Sequence, residues 1–150
     1  MHKDKHGNII GAGEDTAVSI LNDIFKDGTK IIPQYPLKKL LTNDYIDSLA
    51  ESYLKHKVDI MVFTADKKIA VRVQGKDHEG ILKSARDTVQ KKLMEWNGCV
   101  VVDLTWMECP YLFKEQKDEN SYLEVMNAFK NSGLLITSKS IFNFRLSSSF

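Results

Sequence analysis

Apolar positions along the chain change period several times, and each change marks an element. Between Glu14 and Phe25 they fall at Ala17, Val18, Leu21, Ile24 and Phe25, a spacing that predicts an amphipathic helix. Gly13, Asp15 and Thr16 suit its start and Asp27-Gly28 its end. Ile31-Ile32-Pro33-Gln34-Tyr35-Pro36 reads as a short extended piece, and its two prolines confine it to a sheet edge or a strand–turn. Leu37 to Leu41 fits a helical turn, and Asp44 to His56, with Ile46, Leu49, Tyr53 and Leu54, fits a second short helix.

The middle of the chain is the clearest. Val58 to Thr64 and Ile69 to Gln74 read as strands joined by Ala65-Asp66-Lys67-Lys68, a turn short enough to predict an antiparallel hairpin. Ile81, Leu82, Ala85, Val89, Leu93 and Trp96 return to helical spacing and end at Asn97-Gly98. Cys99 to Leu104 is a nearly continuous apolar run, the pattern of a central strand covered on both faces. A helix-mediated return from residue 74 to residue 99 makes these two strands parallel neighbours. Tyr122, Leu123, Met126 and Phe129 predict another helix, stopped by Ser132-Gly133, and Leu134 to Thr137 reads as one more strand. The expected fold is α/β, a mixed sheet flanked by helices, in one domain over residues 13–140. Residues 1–12 read as a flexible lead-in and 141–150 as a tail.

Composition narrows the function only slightly. The chain has 150 residues, enough for one hydrophobic core. Its net charge of +1 argues against a protein that coats nucleic acid through a general basic excess, though not against a local basic patch. No apolar run reaches the roughly 20 residues of a membrane span, and the polar start Met1 to His6 does not read as a secretory signal. The expected compartment is the cytoplasm. Cys99 and Cys109 form no CxxC pair, and Cys99 reads as a small buried hydrophobe. Trp96, Trp106, Tyr111, Leu112 and Phe113 read as packing residues or as part of a homodimer surface.

The order of elements and the residues that punctuate it resemble the PD-(D/E)XK, or restriction-endonuclease-like, nuclease superfamily, nearest to its very-short-patch-repair-like small members. Gly13-Glu14 opens the first helix, as the family's helical glutamate does. Val58-Asp59-Ile60 resembles the motif aspartate, Val71-Arg72-Val73-Gln74-Gly75 stands where the glutamate motif belongs, and His78-Glu79 follows as the relatives' histidine-glutamate often does. Asp87 and the run Lys91 to Gly98 resemble the basic helix. The likeness covers residues 13–106.

The resemblance implies a central mixed sheet and metal-assisted hydrolysis of DNA. Carboxylates on adjacent strands hold a divalent cation, usually magnesium, which polarises the phosphate and lowers the pKa of a bound water. Asp59 is the expected metal ligand and Gln74 the residue that orients the nucleophile. Arg72 departs from the pattern, because a guanidinium is always charged and binds no cation. The resemblance leads us to expect Arg72 to pair with Asp59 and fill the metal site with a built-in cation, so that Arg72→Glu would create or improve metal binding. Glu14, Glu79 or Asp77 would supply the missing carboxylate, and Lys76 would serve as a displaced lysine. Lys76, His78, Lys83 and Arg86 are the expected DNA-contacting residues. Each has a plainer reading: Glu14 as a helix-start acid, His78 as a loop hydrogen-bonder, Lys83 and Arg86 as a solvated helix face. The competing functions are an active nuclease with a variant site, an inactive relative that binds DNA, and a protein-interaction module.

Overall fold

The computed structural model describes residues 13–25, 28–41, 56–75 and 81–134, with the side chains of residues 81–87 outside the description. Helix α1 spans Glu14–Ile24 and buries Ala17, Ile20, Leu21 and Ile24, a stripe at helical spacing. Strand β1 follows at Lys30–Pro36, and a 3-10 turn, Leu37–Leu40, leads away from it. Strands β2 (Lys57–Phe63) and β3 (Lys68–Gln74) form the expected antiparallel hairpin. Helix α2 (Ile81–Trp96) then returns the chain to strand β4 (Cys99–Thr105), which pairs with β3 in parallel. A four-residue helix α3, Pro110–Phe113, and helix α4, Glu119–Asn131, complete the described elements.

The described sheet has four strands in the order β1-β2-β3-β4. Pro33 and Pro36 therefore sit on an edge strand, where a missing N–H does not break the interior of the sheet. One face packs against α1, α3 and α4 through Ile60, Val62, Val71, Val102, Leu104 and Phe129. The other packs against α2 and the 3-10 turn through Met61, Ala70, Val101, Leu93, Met94 and Leu37. Strand β4 is covered on both faces, as its apolar run predicts, yet it is outermost among the described strands and not central.

Local signals explain the helix ends. Asp118 caps α4: its carboxylate accepts from Ser121 N–H at 3.1 Å, while the Ser121 hydroxyl accepts from Asp118 N–H at 2.9 Å. The Glu124 carboxylate accepts from Tyr111 N–H at 3.1 Å and Leu112 N–H at 2.9 Å, satisfying open donors of α3 and docking it on α4. The expected helix over 44–56 lies outside the described residues up to position 55. So do the lead-in, the tail and all of the expected last strand beyond Leu134.

Candidate functional site

Strands β1 and β2 both change face at one point. Ile60 and Val62 belong to the α1 side of the sheet, but Val58 belongs to the α2 side. Strict alternation would put all three together. On β1, Ile31 packs on the α1 side and Tyr35 on the α2 side, which is the same break. The residues at the break are Asp59 and Gln34, set opposite each other by the flanking pairs Pro33–Ile60 and Tyr35–Val58. Gln34 has φ of 54°, left-handed backbone that a non-glycine residue adopts at a cost.

Pairing between β2 and β3 stops at Ile60–Val71. Beyond it the Asp59 carboxylate accepts from Val73 N–H at 2.8 Å, taking the place a ladder carbonyl would fill. This fixes one carboxylate at the end of the sheet where β3 runs out. Helix α1 delivers a second. Gly13, with φ of 94°, turns the chain into the helix, and Glu14 follows in the first turn. A Cβ built on Gly13 would lie 3.5 Å from Phe113 Cδ1, and one on Gly75 would lie 3.7 Å from Phe113 Cε1. Phe113 of α3 thus spaces the start of α1 against the end of β3.

Gln34 Nε2 donates to Glu14 Oε1, so three elements meet at the two acids. Burial pushes the Glu14 carboxyl above the ordinary glutamate range; the Gln34 hydrogen bond opposes this, and the charges of Asp59 and Asp15 add to it. Two consequences follow, with opposite signs. Ionising Glu14 is costlier in the folded chain than in the unfolded one, so stability falls as pH rises from the ordinary glutamate pKa through the raised one. Thermal melts at a series of pH values will show Glu14→Gln relatively more stable above that window, with the gain gone below it. A cation at Glu14 must displace its proton, so cation affinity is lost as pH falls through the raised pKa, and that loss sets in at a higher pH than for ordinary carboxylates.

Arg72 has a partner that the sequence reading did not name. It is buried, 6% exposed, and its guanidinium grips Asp103 of β4 with two bonds, Nε to Oδ1 at 2.6 Å and an Nη to Oδ2 at 3.0 Å. The parallel register sets Arg72 directly beside Asp103. Ile69, Val71 and Val73 face α1, so alternation puts Arg72 and Gln74 on the α2 side with Ala70. Sequence reasoning paired Arg72 with Asp59; the bidentate partner is Asp103. Gln74 is half-buried, and its backbone carbonyl accepts from Trp106 N–H at 3.1 Å.

Of the sequence-predicted residues, Asp59 and Glu14 come together. Lys76, Asp77, His78 and Glu79 lie outside the described residues, as do the side chains of Lys83 and Arg86 on α2. Gln34 and Asp103 were missed. Asp103 carries a readable signal, a lone charge inside the run Cys99 to Leu104, which calls for a buried partner. Gln34 carries none, because left-handed backbone at a glutamine leaves no mark in the sequence.

No family model, curated protein or solved structure matches the chain. Among the described residues no group of three or more His, Cys, Asp or Glu is placed to hold a metal ion. Glu14 and Asp59 nevertheless offer hard oxygen donors, and magnesium commonly binds through one or two carboxylates while keeping several waters. The thiols do not compete for a role. Cys99 and Cys109 are both buried, and burial, with Glu124 and Glu108 adding, pushes Cys109 up to about 12. No helix among the described residues is long and apolar enough to cross a membrane.

Proposed function

We propose that this chain is a restriction-endonuclease-like nuclease domain that acts on DNA, with Glu14 and Asp59 as the carboxylates that hold a divalent cation, magnesium by the nature of the donors. The observation that carries this reading is the convergence of Glu14 and Asp59, from α1 and β2, at the end of β3. The element order α1-β1-β2-β3-α2-β4 around a mixed sheet supports the fold reading.

A bound magnesium would supply Lewis-acid activation of the phosphate and a water of lowered pKa. The chain's own residues do the positioning. Val73 N–H fixes the Asp59 carboxylate. Gln34 holds Glu14 against it. Burial raises the pKa of Glu14 most, and the Asp59 charge adds to it, a like-charge contribution that a cation would relieve.

A specific observation also favours a second reading, an inactive relative that binds DNA without cutting it. Arg72 stands where the nuclease motif has a carboxylate, and its bidentate grip on Asp103 makes it a structural residue. Cleavage assays on supercoiled, linear, single-stranded and branched DNA, with magnesium or manganese, separate the two. Active chemistry gives metal-dependent cleavage that Asp59→Ala abolishes. DNA binding by folded protein with no cleavage of any substrate supports the inactive relative.

A further inference from the structure

We infer that Gln34 is a positioning residue of the carboxylate centre and that its left-handed backbone is strain retained to hold Glu14 beside Asp59, an inference that rests on the cation-site reading above. Two non-glycine residues among those described have positive φ, Gln34 at 54° and Glu115 at 59°. Glu115 follows helix α3, and its N–H donates to the Leu112 carbonyl at 3.0 Å. Helices commonly end on a left-handed residue, so the backbone of Glu115 has a local cause. Gln34 stands inside strand β1, where extended backbone is the rule.

No ordinary feature of a strand accounts for Gln34. A bulge would add a residue to one strand and leave it unpaired. The pairs Pro33–Ile60 and Tyr35–Val58 instead step by two on both strands, so nothing is inserted between them. Proline restricts its own backbone and that of the residue before it. Those residues are Pro33, Pro36, Ile32 and Tyr35, and Gln34 is not among them. Gln34 is also exposed, so burial of its own side chain does not hold it in place. Its amide reaches across to α1, where Nε2 donates to Glu14 Oε1.

Glu14 requires such a support. Its side chain is long and rotatable, and the nearby Asp59 carries a like charge, so the two carboxylates move apart unless held. Val73 N–H already fixes Asp59, and Gln34 does the same for Glu14. With both acids fixed, a cation meets its donors in position and little ordering remains to oppose binding. The same break in β1 and β2 turns Tyr35 and Val58 to the α2 side, where they pack in the core. A glycine at position 34 separates these two roles. It adopts left-handed backbone without strain and so preserves the packing, yet it removes the amide.

The test compares the full chain with its Gln34→Gly and Gln34→Asn variants, by calorimetric titration with manganese and by the melting temperatures of the metal-free proteins. Gln34→Gly is expected to bind manganese on the order of 10-fold more weakly, the usual scale for losing the support of a metal ligand. It is expected to melt no lower than wild type, since relief of strain offsets the greater freedom of glycine in the unfolded chain. Asparagine also tolerates left-handed backbone, but it is one methylene shorter than glutamine and does not reach Glu14, so Gln34→Asn is expected to lose the same affinity. Wild-type affinity in both variants would overturn the positioning role and leave the cation site standing. A lowered melting temperature in Gln34→Gly alongside the lost affinity would make Gln34 a structural residue, which overturns the positioning role as well. A wild-type chain that binds no manganese would overturn the cation site and the positioning role together.

Discussion

Asp103→Ala lowers stability by about 3 kcal/mol, because it removes the bidentate partner of a guanidinium that is almost fully buried. For a chain of this size that is a drop in Tm on the order of 10 °C. Removing both charges behaves differently. Arg72→Met with Asp103→Leu exchanges a desolvated ion pair for apolar packing, which is commonly near neutral. The same geometry reverses the consequence of Arg72→Glu drawn from the nuclease pattern. On the α2 side of β3, a glutamate at position 72 meets the Asp103 carboxylate, so the variant loses at least as much as Asp103→Ala and gains no ligand for the Glu14–Asp59 pair. Arg72→Glu with Asp103→Arg restores opposite charges across the β3–β4 register and recovers most of the loss. Urea denaturation of the single and paired variants, read as a double-mutant cycle, measures the coupling directly.

On the proposed assignment of the cation site, Asp59→Asn is expected to weaken divalent-cation binding strongly while leaving the fold nearly intact. The asparagine side-chain oxygen can still accept from Val73 N–H, so the strand junction survives. What disappears is the charge, and a hard cation held by two carboxylates loses on the order of 100-fold in affinity when one is neutralised, about 3 kcal/mol. Asp59→Ala adds a structural loss, since Val73 N–H then has no side-chain acceptor; about 1–2 kcal/mol is expected for a part-buried donor. The contrast between Asn and Ala separates the two jobs of one residue.

Much of this fold is legible because most elements keep one period throughout. The apolar runs of Val58 to Thr64 and Ile69 to Gln74, the short turn between them and the 3.6-residue stripes of α1 and α4 each state their own structure. The parallel β3–β4 pair follows from the intervening helix. The short helix Pro110–Phe113 was not expected, since four residues carry no periodicity, and its role depends on Glu124 reaching back from α4.

The candidate site was only half legible, for physical reasons that can be named. Asp59 and Glu14 stand at the ends of recognisable elements. Their meeting depends on the break in alternation at Gln34 and Asp59, where a left-handed residue resets the face of two strands at once. The partner of Arg72 depends on register: Asp103 is 31 residues away in sequence and adjacent across the sheet. A pattern that compares β2 with β3 alone does not find Asp103 beside Arg72, because it omits β4.

The measurement that bears most directly on the carboxylate centre is a calorimetric titration of the full chain with manganese, repeated over a series of pH values. Saturable binding in the wild type, lost in both Asp59→Asn and Glu14→Gln, is the predicted result. A folded wild-type chain that takes up no manganese, or one whose binding survives both substitutions, would contradict the assignment of Glu14 and Asp59 as a cation site.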